Sequence, residues 1–134
     1  MSFNTILPPA TIGIIGGGQL GRMLAISARQ MGYGVIILDP KEGCPASQVA
    51  DLHLIAHFDD QKALKELFDL CDVITYEFEN IPGNALSSIL EKLPQGTFPL
   101  LFTQDRLIEK KTINDVGFKT VAYQEINSEE ELNH

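Results

Sequence analysis

The stretch Thr11–Leu24, TIGIIGGGQLGRML, constrains the fold more tightly than any other part of the chain. A β-branched run, TIGII, stops at three consecutive glycines, and a helix-forming run begins immediately. A strand that becomes a helix within three residues is the opening unit of a parallel α/β sheet. Gly16, Gly17 and Gly18 lack Cβ atoms, so the backbone can turn sharply there and come close to a ligand. The helix starting near Gln19 aims its unsatisfied N–H groups at the same spot and adds the positive end of its dipole. That is an anion site needing no net positive charge. Gly16, Gly18 and Gly21 also fit the dinucleotide fingerprint G-x-G-x-x-G. A close-packed strand–helix crossover gives similar letters, although three tandem glycines exceed what packing alone requires.

The remaining chain repeats the alternation. Leu20, Met23, Leu24, Ser27/Ala28 and Met31 recur at the spacing of one helix face over Gln19–Met31, with Gly32 and Gly34 as its stop. VIIL (35–38) reads as a second buried strand ending at Asp39-Pro40, and LHLIA (52–56) as a weaker third. Leu64, Leu67, Phe68 and Cys71 mark a second helix, and DVITYE (72–77) a fourth strand. Leu86, Ile89, Leu90 and Leu93 mark a third helix with Pro82 near its first turn. FPLLF (98–102) reads as a fifth strand, and 104–116 as a fourth helix stopping at Gly117. Continuous apolar strands between amphipathic helices predict a doubly wound parallel α/β sheet, with ligands beyond the carboxyl ends of its strands.

Composition narrows the function classes. The 134 residues carry a net charge of −8, which argues against nucleic-acid or anionic-membrane partners, since phosphate backbones demand clustered Lys and Arg. The apolar runs fall far short of the ~20 residues of a membrane-spanning helix. The opening MSFNTILPPA has no charged region followed by a long apolar run, so it does not read as a signal peptide. Cys44 and Cys71 show no C-x-x-C pattern, and a reduced, soluble, cytoplasmic protein is expected. His53 and His57 have a helical metal-ligand spacing, but their surroundings read as strand and loop and would not put them on one face.

Asp39 ends the second strand ~20 residues after the fingerprint, where an acid can hold an adenosine ribose. On these two features alone an NAD(P)-dependent oxidoreductase leads.

Four segments taken together change that. IGIIGGGQLGRM, LDPKEGCPASQVAD, VITYEFENIP and TQDRLIEK, in this order and spacing, resemble the amino-terminal part of the N5-carboxyaminoimidazole ribonucleotide synthetase family of ATP-grasp enzymes. The resemblance runs from about Thr11 to the chain's end. It implies a Rossmann-like pre-ATP-grasp domain over 11–117, preceded by an extension (1–10) and followed at 118–134 by the start of a link into an ATP-grasp domain. It further implies aminoimidazole ribonucleotide, bicarbonate and ATP as partners, with ATP and Mg2+ held mainly by the domain beyond. Homodimers are common in the family. Gly18, Gln19 and Leu20 match the turn that meets the ribonucleotide, and Glu77 matches a carboxylate at its sugar, suited to accepting paired hydroxyls. Ser47, in the loop Cys44–Ser47, matches a phosphate-contacting position, with Cys44 beside it as a small packing residue. Arg106 matches an ATP contact. On this reading Asp39 caps or braces the loop. By their position alone Glu79 and Asn80 cap the next helix, the alternative being that Glu79 shares the face of Glu77 as a like-charge pair, and Lys110 and Lys111 are surface charges.

The tail, NSEEELNH, opens with Ser128 and, three residues on, Glu131, a capping-box signature. A helix beginning there leads toward a further domain, and a frayed acidic tail is the alternative. A stand-alone nucleotide-binding module remains the third reading, in which ligand binds without chemistry.

Overall fold

In a computed structural model of the chain, residues 5–132 are described. The first four residues of MSFNTILPPA, and the last two of the tail, lie outside them. As the triple glycine predicts, β1 (Thr11–Ile15) runs into the turn and α1 (Gln19–Gln30) follows. Met31 closes the helix and Gly32 takes a φ of 89°, the left-handed stop that glycine supplies at low cost. β2 (Gly34–Leu38), β3 (Leu52–Leu54) and β4 (Val73–Tyr76) complete one sheet in the order β3-β2-β1-β4, with every pairing parallel.

Each face of the sheet has its own core. On one side Ile14, Val35 and Ile37 pack with Ala25 and Ala28 of α1 and with Cys44 and Ala46. On the other, Ile15, Ile36, Leu38 and Ile74 pack with Leu64 and Leu67 of α2 (Gln61–Leu70) and with Leu86 and Ile89. Alternation along each strand sends successive side chains to opposite faces, so strands this apolar require both faces to be covered. Helix α2 starts at Asp60, whose carboxylate accepts the Lys62 and Ala63 amides at 2.9 and 3.1 Å.

Three expectations are corrected. FPLLF is not a strand: Phe98–Thr103 forms the short helix α3, with Pro99 in its first turn. A proline inside a parallel sheet forfeits a ladder hydrogen bond, whereas the first turn of a helix loses nothing by it. The helix expected around Leu86–Leu93 is a 3-10 segment, Ala85–Lys92, and Pro82 precedes it, its carbonyl accepting the Ala85 amide at 2.9 Å. The buried side of α1 is also not the one the large residues marked. Gly21, Ala25 and Ala28 face inward, while Met23 is 63% exposed and Leu20, Leu24 and Met31 are exposed with it.

Helix α4 (Arg106–Asp115) begins two residues later than expected, with the Asp105 carboxylate capping Leu107 and Ile108 at 2.8 and 3.0 Å. Gly117 follows it at φ 92°. In the tail, α5 (Glu129–Leu132) shows the capping box: the Ser128 hydroxyl accepts the Glu131 amide at 3.3 Å and Glu131 reaches back to the Asn127 amide at 2.8 Å. Part of the 1–10 extension is tied to the amino ends of the central strands β1 and β2, since the Tyr33 hydroxyl donates to the Ile6 carbonyl at 2.9 Å and the Gly34 amide to that of Ala10 at 3.0 Å. Among the described residues no helix is long and apolar enough to cross a membrane.

Candidate functional site

Strand register assembles the site. Ile15 lies beside Leu38 of β2 and beside Tyr76 of β4. The next residue on each strand, Gly16, Asp39 and Glu77, therefore emerges in one row at the carboxyl edge. The chain runs from β1 outward to β2 and β3, then returns to place β4 on the opposite side of β1. This reversal of strand order opens a crevice between β1 and β4, the usual ligand position in such sheets.

Around the turn, the glycine groups are mostly committed within the protein. The Gly16 amide donates to the Leu38 carbonyl at 2.9 Å, and the Gly17 amide to Asp39 Oδ2 at 2.7 Å. The Gly17 carbonyl accepts the Ala46 amide at 2.9 Å, which clamps the loop after β2 onto the turn. Each glycine of the fingerprint has a local reason. Gly16 has φ 106°, a Cβ on Gly17 would stand 2.3 Å from Cys44 Sγ, and one on Gly21 would stand 2.3 Å from the Gly16 carbonyl oxygen. Gly21 thus serves helix packing. The first intrahelical bond is from the Arg22 amide to the Gly18 carbonyl, so the amides left without intrahelical partners are those of Gln19, Leu20 and Gly21.

Glu77 borders this turn from the β4 side, its Oε1 2.8 Å from where a Cβ on Gly16 would lie. Partial burial raises its pKa above the ordinary glutamate value. The Gly18 amide pulls it back, and the charges of Asp39 and Glu79 push it further up. The carboxylate joins two cavities. One, of about 390 Å3, is apolar and lined by Leu20, Met23, Leu24, Ser27 and Glu77. The other, of about 380 Å3, is more polar and includes Glu77, Phe78, Glu79, Thr103, Arg106 and Glu109.

The structure therefore brings Leu20, Glu77 and Arg106 to adjoining walls, with Gly18 and Gln19 at the turn between. Arg106 is exposed and pairs with Glu109 one turn along. Ser47 sits across the turn in the 3-10 segment Pro45–Gln48, where its hydroxyl donates to the Cys44 carbonyl at 2.7 Å. It lines neither cavity described above. Glu79 and Asn80 do not cap the 3-10 segment, whose first residue follows Asn84. Instead, Gln104 donates through its amide to the carbonyls of Glu79 and Ile81 at 2.7 and 2.6 Å, fixing the loop after β4 against the start of α4.

Sequence reasoning missed Gln104 and Arg22. The Arg22 guanidinium donates to the Pro45 carbonyl at 3.0 Å and to Gln48 Oε1 at 2.6 Å, tying α1 to the Ser47 loop. Both residues lie inside motifs already singled out, QLGRM and TQDR, but one sequence gives no sign of which backbone carbonyls a side chain will reach. His53 lies on β3 with its Nε2 3.1 Å from the Asp39 carbonyl oxygen. Cys44 and Cys71 are buried free thiols, and burial pushes the Cys71 thiol up to about 12. A third cavity, of about 330 Å3, lies along α4 beside Lys111 and Tyr123.

Residues 9–100 match the family of the ribonucleotide synthetase preATP-grasp domain. The chain is 53% identical over 125 residues to the N5-carboxyaminoimidazole ribonucleotide synthase of Staphylococcus aureus (strain MSSA476), covering 92% of this chain and 33% of that protein. It resembles the crystal structure of N5-carboxyaminoimidazole synthetase from Staphylococcus aureus complexed with ADP, at TM-score 0.89 and 48% identity, over 98% of this chain and 36% of that one. The corresponding synthase from Aspergillus clavatus, in complex with ADP and 5-aminoimidazole ribonucleotide, matches at TM-score 0.69 and 30% identity, over 81% and 30%. The chain spans about a third of the length of these relatives.

Proposed function

The chain belongs to the ribonucleotide synthetase preATP-grasp family, and from that premise we propose that it forms the substrate-binding amino-terminal part of an N5-carboxyaminoimidazole ribonucleotide synthase. In the proposed reaction ATP phosphorylates bicarbonate to carboxyphosphate, which delivers CO2 to the exocyclic amine of aminoimidazole ribonucleotide in purine biosynthesis. ADP and phosphate leave. Residues 11–117 bind the ribonucleotide, and 118–134 lead toward the ATP-grasp part. The working enzyme is cytoplasmic and dimeric on this reading.

One observation carries the proposal: Glu77 stands beside the first turn of α1 at the point where strand order reverses. An ionised carboxylate there can accept both hydroxyls of a ribose, while the free amides at Gln19 and Leu20 favour negative charge. Ser47 is assigned to the substrate phosphate, which requires its hydroxyl to leave the Cys44 carbonyl. Arg106, across the Glu77 wall, is assigned to ATP phosphate, for which a fixed guanidinium suits the charge. Magnesium is assigned to the ATP-grasp part, as the family resemblance implies, and no step here runs through it. The dinucleotide alternative loses its second support, because the Asp39 carboxylate turns inward onto the Gly17 and Lys41 amides, at 2.7 and 2.8 Å.

The test is steady-state kinetics on the full-length enzyme. Glu77→Ala should weaken the ribonucleotide interaction by about 1.5–3 kcal/mol, the range for hydrogen bonds to a charged group, with little change in the ATP Michaelis constant. An unchanged ribonucleotide Michaelis constant, with binding at equilibrium, removes Glu77 from the site.

A further inference from the structure

We propose that Asp39 is a positioning residue that confines the site to a mononucleotide, by clamping the loop after β2 over the half of the crevice where a dinucleotide's adenosine would lie. The inference rests on the ribonucleotide reading above. In a dinucleotide site an acid at the end of the second strand points outward to a ribose, and the glycine turn is left bare for the pyrophosphate. Here the carboxylate points inward. Oδ2 takes the Gly17 amide at 2.7 Å and Oδ1 the Lys41 amide at 2.8 Å, so one side chain joins the turn to the start of the loop.

Three further contacts lay that loop on the turn. The Ala46 amide reaches the Gly17 carbonyl at 2.9 Å, and Cys44 packs so tightly on Gly17 that a Cβ there would stand 2.3 Å from its sulfur. Arg22 holds the far end through Pro45 and Gln48. Cys44 and Ala46 are buried to 1% and 0% exposure, so this plug belongs to the core. The loop covers the β2 side of the turn, with Ser47 on its rim, and the cavities lie on the β4 side, where Glu77 stands. With Gly17 held on both its amide and its carbonyl, the direction in which the Gln19 and Leu20 amides face is fixed by Asp39 from one residue pair away.

The test uses the full-length enzyme with Asp39→Ala and Asp39→Asn, assayed for ADP formation with aminoimidazole ribonucleotide and bicarbonate. The Gly17 and Lys41 amides meet different oxygens of Asp39, so asparagine in the same rotamer accepts from one of them and turns its NH2 toward the other. The ribonucleotide KM should rise by about ten-fold in Asp39→Ala, since displacing a positioned group by an ångström can cost up to about a hundred-fold. Asp39→Asn should fall between Asp39→Ala and the parent, while kcat and the ATP KM stay within about two-fold, the pattern of lost binding rather than lost chemistry. If Asp39→Ala does not fold, the Asp39→Asn split decides. A ribonucleotide KM unchanged in the folded variants, or a fall in kcat with KM unchanged, overturns the inference while leaving the ribonucleotide reading intact. A parent enzyme that forms no ADP with these substrates overturns both.

Discussion

At the scale of single residues, Glu77 sets function against stability. Its charge is what a ribose would bind, yet the fold disfavours that charge, chiefly through burial and then through Asp39 and Glu79. Because the folded-state pKa is raised, ribonucleotide binding should be full well above that raised value and decline as pH falls through it, earlier than an exposed glutamate would allow. The stability contribution has the opposite sense. Ionised Glu77 lowers stability at pH values above its folded pKa, and the cost disappears as pH falls below the ordinary 4.5. Glu77→Gln should therefore abolish the acid limb of the ribonucleotide KM profile. It should also raise the urea midpoint at neutral pH, with the gain vanishing below pH 4.5. A urea midpoint lower at neutral pH than the parent's would contradict this account of the carboxylate.

At the scale of elements, what was legible depended on how local the cause was. The strand, glycine turn and helix at Thr11–Gln30 follow from neighbouring residues, as does the cap at Ser128. FPLLF was ambiguous by pattern, because five apolar letters suit a buried strand or a short helix equally. Pro99 was the available signal, and it favoured the first turn of a helix. On α1, side-chain size is no guide to burial. This helix approaches the sheet through Gly21, Ala25 and Ala28, small enough to let backbones come close, and its larger apolar side chains face outward. Two substitutions separate the faces. Met23→Gln should change unfolding free energy by less than about 0.5 kcal/mol, as exposed positions do. Ala25→Leu, at a position with 0% exposure, should destabilise by about 1–3 kcal/mol through overpacking. Denaturant titration of both reads out which face carries the helix.

At the scale of the whole molecule, the doubly wound sheet was readable from alternation alone, but the site was only half readable. The parallel order β3-β2-β1-β4 makes Gly16, Asp39 and Glu77 neighbours although they lie 23 and 38 positions apart in the sequence. Motifs pointed to Gln19, Leu20 and Glu77, and the resemblance to Asp39 as a brace of the loop, whereas the reach of Gln104 and Arg22 arises only when distant segments meet. The central claim is that the open half of this crevice, between the first turn of α1 and Glu77, receives a mononucleotide. The most direct measurement is a nitrogen–proton NMR titration of the 134-residue chain with aminoimidazole ribonucleotide and, separately, with NADH. The account predicts saturable shifts at the Gly18, Gln19, Leu20 and Glu77 amides with the ribonucleotide, lost in Glu77→Ala, and no saturable response to NADH. Saturable NADH shifts centred on Gly17 and Asp39, with the ribonucleotide leaving the spectrum unchanged, would contradict it.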